Sequence, residues 1–296
     1  MANTLVNVNI DKLAERSLTY LAKNGIRLND FSLNLGGGVK ERGESVKTRL
    51  AGSLSTQNMA SSKTPGNAGL TAVDVTLNQY QGVVIGFTDL ERSYTDRALD
   101  EEFVMPALEA LQDKVVSDVL ALATTANGFN TYQTTSTVAN FSADVCASAA
   151  RVLSENKVPH AGRVAILSPA LIEQLVTDGA IQNAAAFGDN QAVLENKVPK
   201  VHGFGIREYT GTIPSNSQNM VGLFAHPEAF AIAAREIAEP EPGTWYGQVR
   251  SLVDPVSGLP FQIRKYYNGT QQVVEWSILY GVSVGQAKAA SRIVTA

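Results

Sequence analysis

The sequence predicts an α+β chain, and three observations carry that prediction. Apolar residues recur at threes and fours from Leu99 to Leu122, the period of a helix. Val46 to Leu50, Val73 to Leu77 and Val274 to Tyr280 alternate apolar with polar, the period of a half-buried strand. Between these regions, from 143 to 209, short helical and strand-like stretches take turns. A hydrophobic fraction of 44% with 18% charged residues supplies enough apolar surface for a packed core, which excludes wholesale disorder.

The first element is a short amphipathic helix over residues 10 to 23. Leu13, Leu18 and Leu21 make its apolar stripe, Asp11, Glu15, Arg16 and Lys23 its polar side, and Asn24-Gly25 its end. The stripe needs a surface to lie on, and its own thin, polar surroundings are not expected to supply one. From Gly36 to Leu70, Gly, Ser, Thr and charge dominate, and the alternating runs at 46 to 50 and 73 to 77 bracket this stretch. Two strands joined by some 20 polar residues read as a long hairpin, because a structureless loop of that size is uncommon inside a compact domain. With arms of about 15 residues it would project on the order of 50 Å and lie across another subunit. A disordered surface loop is the alternative.

Phe87 to Arg92 leads into the strongest helix, drawn from Asp96 to Leu122 and about 40 Å long at 1.5 Å per residue. Ser93 or Thr95 can cap it, Phe103 and Leu111 lie on its apolar stripe, and Pro106 predicts a kink or break near Glu102. Helix 143 to 156, strand 163 to 168, helix 169 to 178, a short helix near 189 to 196 and strand 203 to 209 follow. Ser168 is expected to cap the second of these helices with its hydroxyl, ahead of Pro169 at the first helical position. Glu-Asn-Lys-Val-Pro occurs at 155 to 159 and again at 195 to 199. Its flanks do not repeat, so it reads as one punctuator used twice: Lys suits a helix C-terminus, and Pro forces the preceding Val out of helix. Met220 to Ala234 makes two apolar runs about His226-Pro227-Glu228. Trp245 to Val253, Phe261 to Tyr267 and the long alternating run through Trp276 make a second sheet.

A search for chemistry returns little. His160, His202 and His226 are scattered in turn-like contexts, with no second ligand at metal-binding spacing. Ser168 lacks the flanking glycines of a nucleophile elbow. Gly36-Gly37-Gly38 reads as a flexible bend, and Gly203-Phe204-Gly205 as a strand needing close backbone approach; neither has phosphate-loop spacing. Cys146 is the only cysteine, so an intrachain disulfide and a thiolate cluster are excluded; it reads as a small core residue, and a cytosolic site of assembly follows. No catalytic residue, cofactor site or metal site is assigned. With 24 basic against 28 acidic residues the net charge is -4, and no basic tract stands out, which excludes a dedicated nucleic-acid binder. No apolar run approaches the roughly 18 residues of a membrane span, and the N-terminus has no basic residue ahead of an apolar core, so neither membrane insertion nor export is expected.

The order of elements resembles the major capsid (coat) proteins of tailed bacteriophages, the Hong Kong 97-like fold. The residues that carry the resemblance are Val46-Lys47-Thr48-Arg49-Leu50, Val75 through Val83, Phe87-Thr88-Asp89-Leu90-Glu91 and the spine-like helix 96 to 122. Lys157-Val158-Pro159, Arg163 through Pro169 and Gly203-Phe204 add to it. The resemblance covers most of the chain. It implies an N-terminal arm (1–30), an extended loop or E-loop (31–85), a peripheral domain with the spine helix (86–140), an axial domain (141–242), peripheral strands (243–280) and a return to the axial domain (281–296).

The resemblance further implies a structural protein rather than an enzyme, forming hexamers and pentamers that close into an icosahedral shell around phage double-stranded DNA. The shell would be assembled in the host bacterial cytoplasm and end in the virion. A portal protein is an implied partner. So is a separate scaffolding protein, since Met1 stands almost at the arm, and the packaged DNA would be held without sequence-specific binding. An encapsulin-type nanocompartment is the first alternative. A soluble homo-oligomeric α+β enzyme using acids such as Asp89, Glu91 and Asp96 is the second. The residues expected at contacts between subunits are Leu13, Leu18 and Leu21 on the arm and Lys47, Arg49 and Asp74 on the hairpin. One Asp cannot neutralise two cations, so Lys47 or Arg49 should reach a neighbour's carboxylate, with Glu91, Glu101 and Glu102 as candidates.

Overall fold

The computed structural model describes residues 8–24, 28–34, 45–51, 58, 70–93, 102–129, 134–135, 137–181, 198, 200–216, 218–240 and 247–295. Fourteen strands and five α-helices lie among these, joined by short 3-10 turns. The helices are α1 (Val8–Asn24), α2 (Asp89–Ser93), α3 (Val104–Ala121), α4 (Ala143–Glu155) and α5 (Pro169–Thr177). The short helix expected near 189 to 196, the cap candidate Thr95, the helix start drawn at Asp96, the Gly36 cluster and most of the hairpin tip fall outside the described residues.

Two six-stranded sheets share one continuous core. The first is built around β13 (Gln271–Val284). β12 (Pro260–Tyr267) pairs with its Gln272–Ser277 and β10 (Phe230–Arg235) with its Leu279–Val284, end to end along one edge. β4 (Gln79–Thr88) takes the opposite edge, from Gln271 to Tyr280. β11 (Gly247–Val253) adds to β12, and β1 (Ser32–Asn34) runs parallel to β10. At about 3.3 Å per residue, fourteen residues give β13 a span near 46 Å, long enough to hold strands from three distant parts of the chain. β4 is not among the strands read from the sequence. Val83, Ile85 and Phe87 alternate with Gly82, Val84 and Gly86, and the glycines weaken that signal.

The second sheet has the order β5-β14-β9-β6-β8-β7. Its members are β5 (Thr134–Thr135), β6 (Val164–Leu167), β7 (Lys200–Val201), β8 (Phe204–Glu208), β9 (Met220–Ala225) and β14 (Ala290–Val294). β6 and β8 are parallel, with α5 in the connection between them, while β9 and β14 return antiparallel. The last strand of the chain thus sits between elements from residues 134 and 220. β2 (Ser45–Ala51) and β3 (Leu70–Thr76) form a separate two-stranded ribbon.

α3 joins the two sheets. Val104, Ala107, Leu108, Leu111, Val115, Val116, Val119 and Leu120 form its buried stripe at spacings of three and four. The break expected near Glu102 falls at Phe103, the residue before the helix, so Pro106 lies in the first turn, where its missing N–H leaves no intrahelical bond unmade. The last carbonyls of α3 are capped from afar. Asn216 Nδ2 donates to Leu120 O and Ala123 O at 2.9 Å, and Arg292 Nη1 donates to Ala123 O at 3.3 Å. Arg163 does the same for α4, donating to Ala150 O, Val158 O and Pro159 O.

Two local expectations are corrected. Ser168 occupies the cap position of α5 in an extended conformation with Pro169 next, but its hydroxyl makes no capping bond; the backbone carbonyl receives Leu171 N–H and Ile172 N–H instead. Gly203 (φ 89°) makes, with His202 (φ 46°), the two-residue turn between β7 and β8, so its role is left-handed backbone rather than close approach. Among the described residues the hairpin pairs Ser45–Ala51 with Leu70–Thr76, and the rest of its expected length lies outside them. Val73 and Val75 pack on Ala231 and Ala233, so its root lies on this chain's own sheet.

Candidate assembly surface

The residues singled out on the arm and hairpin separate into a covered set and an open set. α1 lies on α3, β11 and β12. Leu13 and Leu21 are buried there, and Leu18 is half-buried. The expectation that the stripe finds no cover within its own chain is therefore corrected. Leu108, Leu111 and Val115 of α3 line a gap that they share with Leu21 of α1, Phe261 of β12 and Ile278 of β13. Two polar ties hold the helix in place. Tyr20 Oη donates to Glu109 Oε1 at 2.6 Å, and Arg250 Nη2 stands 3.2 Å from Asp11 Oδ1.

On the hairpin, the register sets Lys47 directly opposite Asp74 and Arg49 opposite Ala72. Adjacent residues of a strand point to opposite faces, so Asp74 lies on the side of the ribbon away from Val73 and Val75, while the side chains of Lys47 and Arg49 lie outside what the structure describes. Asp74 is exposed. Of the three candidate acids near α3, Glu102 is exposed and Glu101 lies outside the described residues. Glu91 is held in its own helix start: its Oε2 accepts Thr88 N–H at 2.9 Å and Thr88 Oγ1–H at 2.8 Å. Thr88 Oγ1 in turn accepts Glu91 N–H at 3.3 Å, completing a reciprocal cap. Those two donors hold the Glu91 carboxyl below its ordinary range, the backbone N–H contributing most.

The sequence reading missed an apolar surface around β4. Tyr80 and Val84 point outward from it, with Gly82 between them and Gly86 beyond. At its far end, on the opposite face, Phe103 rests on Phe87 with ring centroids 5.7 Å apart, Tyr267 Oη donates to Asp89 Oδ2 at 3.0 Å, and Leu90 is exposed beside that aspartate. Phe103 is 39% exposed, so its place on the buried stripe of α3 is corrected: the chain turns at that residue and swings its ring toward β4. The signal that could have found this surface is the Tyr-x-Gly-x-Val-x-Gly alternation, whose outward face carries no charged residue.

The residues considered for chemistry have structural places. Cys146 is fully buried, and burial pushes its thiol up to about 12, which removes its nucleophilic form at neutral pH. His226 Nδ1 accepts Glu228 N–H, His160 is exposed in a turn, and Asp89 bonds Tyr267. Among the described residues no group of three His, Cys, Asp or Glu could hold a metal ion, and no helix is long and apolar enough to cross a membrane.

No family model matches the sequence, and no curated protein matches it. The structure does have solved counterparts. It is similar to one from Mycobacterium phage Che8 at 17% identity and a TM-score of 0.60, over 90% of each chain. It is similar to the capsid structure of the cyanophage P-SCSP1u at 15% identity and a TM-score of 0.62, over 90% of this chain and 86% of that one. A virus-like particle from Pyrococcus furiosus matches at 12% identity and a TM-score of 0.52, over 96% and 98%. At these identities the likeness establishes the fold: this α+β chain folds as phage capsid chains do.

Proposed function

We propose that this chain is the major capsid protein of a tailed bacteriophage, assembling as hexamers and pentamers into an icosahedral shell that encloses double-stranded DNA. The observation that carries the reading is the likeness to phage capsid structures over about nine tenths of both chains, which leaves little of either for another purpose. Charge supports it. A net charge of -4 suits a wall that confines DNA without gripping it, so cohesion must come from contacts between subunits. The arm, the outer face of the hairpin and the apolar surface around β4 are the parts assigned to those contacts. A separate scaffolding protein and a portal protein are the partners this role requires. The site of assembly is the host bacterial cytoplasm and the destination is the virion. The role is structural, not catalytic.

The likeness to the Pyrococcus furiosus virus-like particle, over nearly the whole of both chains, favours a second reading as a protein nanocompartment. One experiment tests both. Electron microscopy of the purified chain should show closed shells, and their absorbance ratio should show nucleic acid when they come from infected cells. Shells holding a protein cargo would support the nanocompartment, and an oligomer of a few hundred kilodaltons with no shells would sink both readings.

A further inference from the structure

The hairpin is seated on its own chain at one crossing. β3 lies over the face of the first sheet where Ala231 and Ala233 of β10 stand opposite Ser283 and Gly281 of β13, and Val73 and Val75 pack on the two alanines. Leu77 and Asn78 then carry the chain over β13 to β4, whose pairing starts at Gln79 opposite Tyr280. Gly281 lies directly under that passage. A Cβ on it would overlap the Thr76 carbonyl and stand 3.2 Å from Leu77 Cα, so the two backbones meet with no side chain between them. Packing through side chains would hold them about 10 Å apart.

Among the described residues β2 and β3 pair only with each other, and a two-stranded ribbon is marginal in water by itself, so its direction has to come from this seat. Leu279, two residues from Gly281, stands opposite Tyr80, which puts the seat on the same face as Tyr80 and Val84. We propose that Gly281 is a positioning residue for assembly: with Ala231 and Ala233 it fixes the direction in which the hairpin leaves the subunit, and so the angle at which one copy meets the next. The second half of that inference rests on the capsid reading above; the first does not. The geometry supplies a magnitude. To clear a methyl group at 281, β3 must rise there by about 1.5 Å. Over a seat some 7 Å long this tilts the ribbon by roughly 12° and moves Leu70, at the far end of β3, by about 4 Å.

Pulsed electron–electron double resonance on the full chain reads that direction. Nitroxides go on Thr71→Cys in β3 and Arg151→Cys in α4, with the labelled chain diluted in unlabelled protein so that only distances within one copy count. The native Cys146 is buried and stays unlabelled. Gly281→Ala should shift the distance by about 2 to 4 Å with circular dichroism unchanged, and electron micrographs should show shells of altered diameter or open sheets. Ala233→Val lifts the same crossing from β10 and serves where Gly281→Ala does not fold. Gly86→Ala, whose added Cβ meets only the flexible side chain of Gln271, should leave the distance as it was. An unshifted distance in a natively folded seat variant overturns the proposal, and a shifted distance with shells of native diameter overturns its assembly half. If the unaltered chain forms no shells, the capsid reading falls and the assembly half with it, while the distances still decide the seat.

Discussion

At Lys157 the backbone takes φ 60°, a left-handed conformation that disfavours any residue with a side chain. The chain keeps it because it closes α4. Lys157 N–H reaches Ser154 O at 2.9 Å, Val158 N–H reaches Leu153 O at 3.0 Å, and Val158 and Leu153 are both buried. Such a closure usually employs glycine at this position. Lys157→Gly is therefore expected to stabilise the fold by about 0.5 to 1 kcal/mol and raise the melting temperature by about 2 °C. A lower melting temperature would show that the Lys157 side chain does more than tolerate the turn. The Glu-Asn-Lys-Val-Pro punctuation was legible in the sequence, but the left-handed lysine was not, because lysine carries no signal for it. Phe103 and Leu111 diverge for a related reason. Leu111 is 7% exposed, and Leu111→Ala should cost about 2 to 5 kcal/mol; Phe103→Ala, at a half-open site, should cost less than half of that. Equal losses in thermal denaturation would place Phe103 back in the core.

α3 is held by tyrosines as well as by its apolar stripe. Tyr280 Oη donates to Asp118 Oδ2 at 2.6 Å, Tyr20 to Glu109, and Tyr209 stands beside Asp113. Burial first, then these carboxylates, raise all three phenols, Tyr20 to about 12. An unfolded tyrosine ionises near pH 10 while the folded ones keep their protons. Their contribution is thus fully present below pH 10 and is lost as pH rises from 10 through the folded values. Denaturant melts should show stability falling above pH 10, and Tyr280→Phe should flatten that fall while costing about 1.5 to 3 kcal/mol at neutral pH. A fall of the same slope in the variant would remove Tyr280 from the account. On the hairpin, Lys47→Glu with Arg49→Glu sets a like charge opposite Asp74 and should raise the concentration needed for assembly, most clearly at low salt, with circular dichroism unchanged. Light scattering checks it; assembly at the same concentration at low and high salt would mean that this face makes no charged contact. The two strands of the hairpin were legible because Val46, Thr48 and Leu50, and Val73, Val75 and Leu77, alternate with polar residues; their register was not, because it is set by pairing. β4 was not, because two glycines and two exposed apolar residues share its outer face.

Across the whole molecule, the α+β class, helices α1 and α3 and the late strands could be read from hydrophobic period, since each buries one face. Which face meets which could not. Leu13 and Leu21 were read as needing a neighbour, yet α1 lies on α3, β11 and β12 of the same chain, because contacts between elements so far apart leave no local mark in sequence. That placement changes what removing the arm should do. Each fully buried leucine contributes about 1.5 to 3 kcal/mol, so Leu13 and Leu21 together supply a large part of the 5 to 15 kcal/mol that typically separates a folded chain from its unfolded state. Deleting residues 1–24 also uncovers Leu108, Leu111 and Val115 on α3, an apolar strip that would drive association without order. The truncated chain is therefore expected to melt at least 5 °C lower and to aggregate, rather than to remain as soluble subunits that cannot close a shell. Calorimetry and light scattering on the same sample separate the outcomes. A truncated chain that keeps its melting temperature and stays monodisperse, yet builds no shells, would show that the arm serves other subunits more than its own.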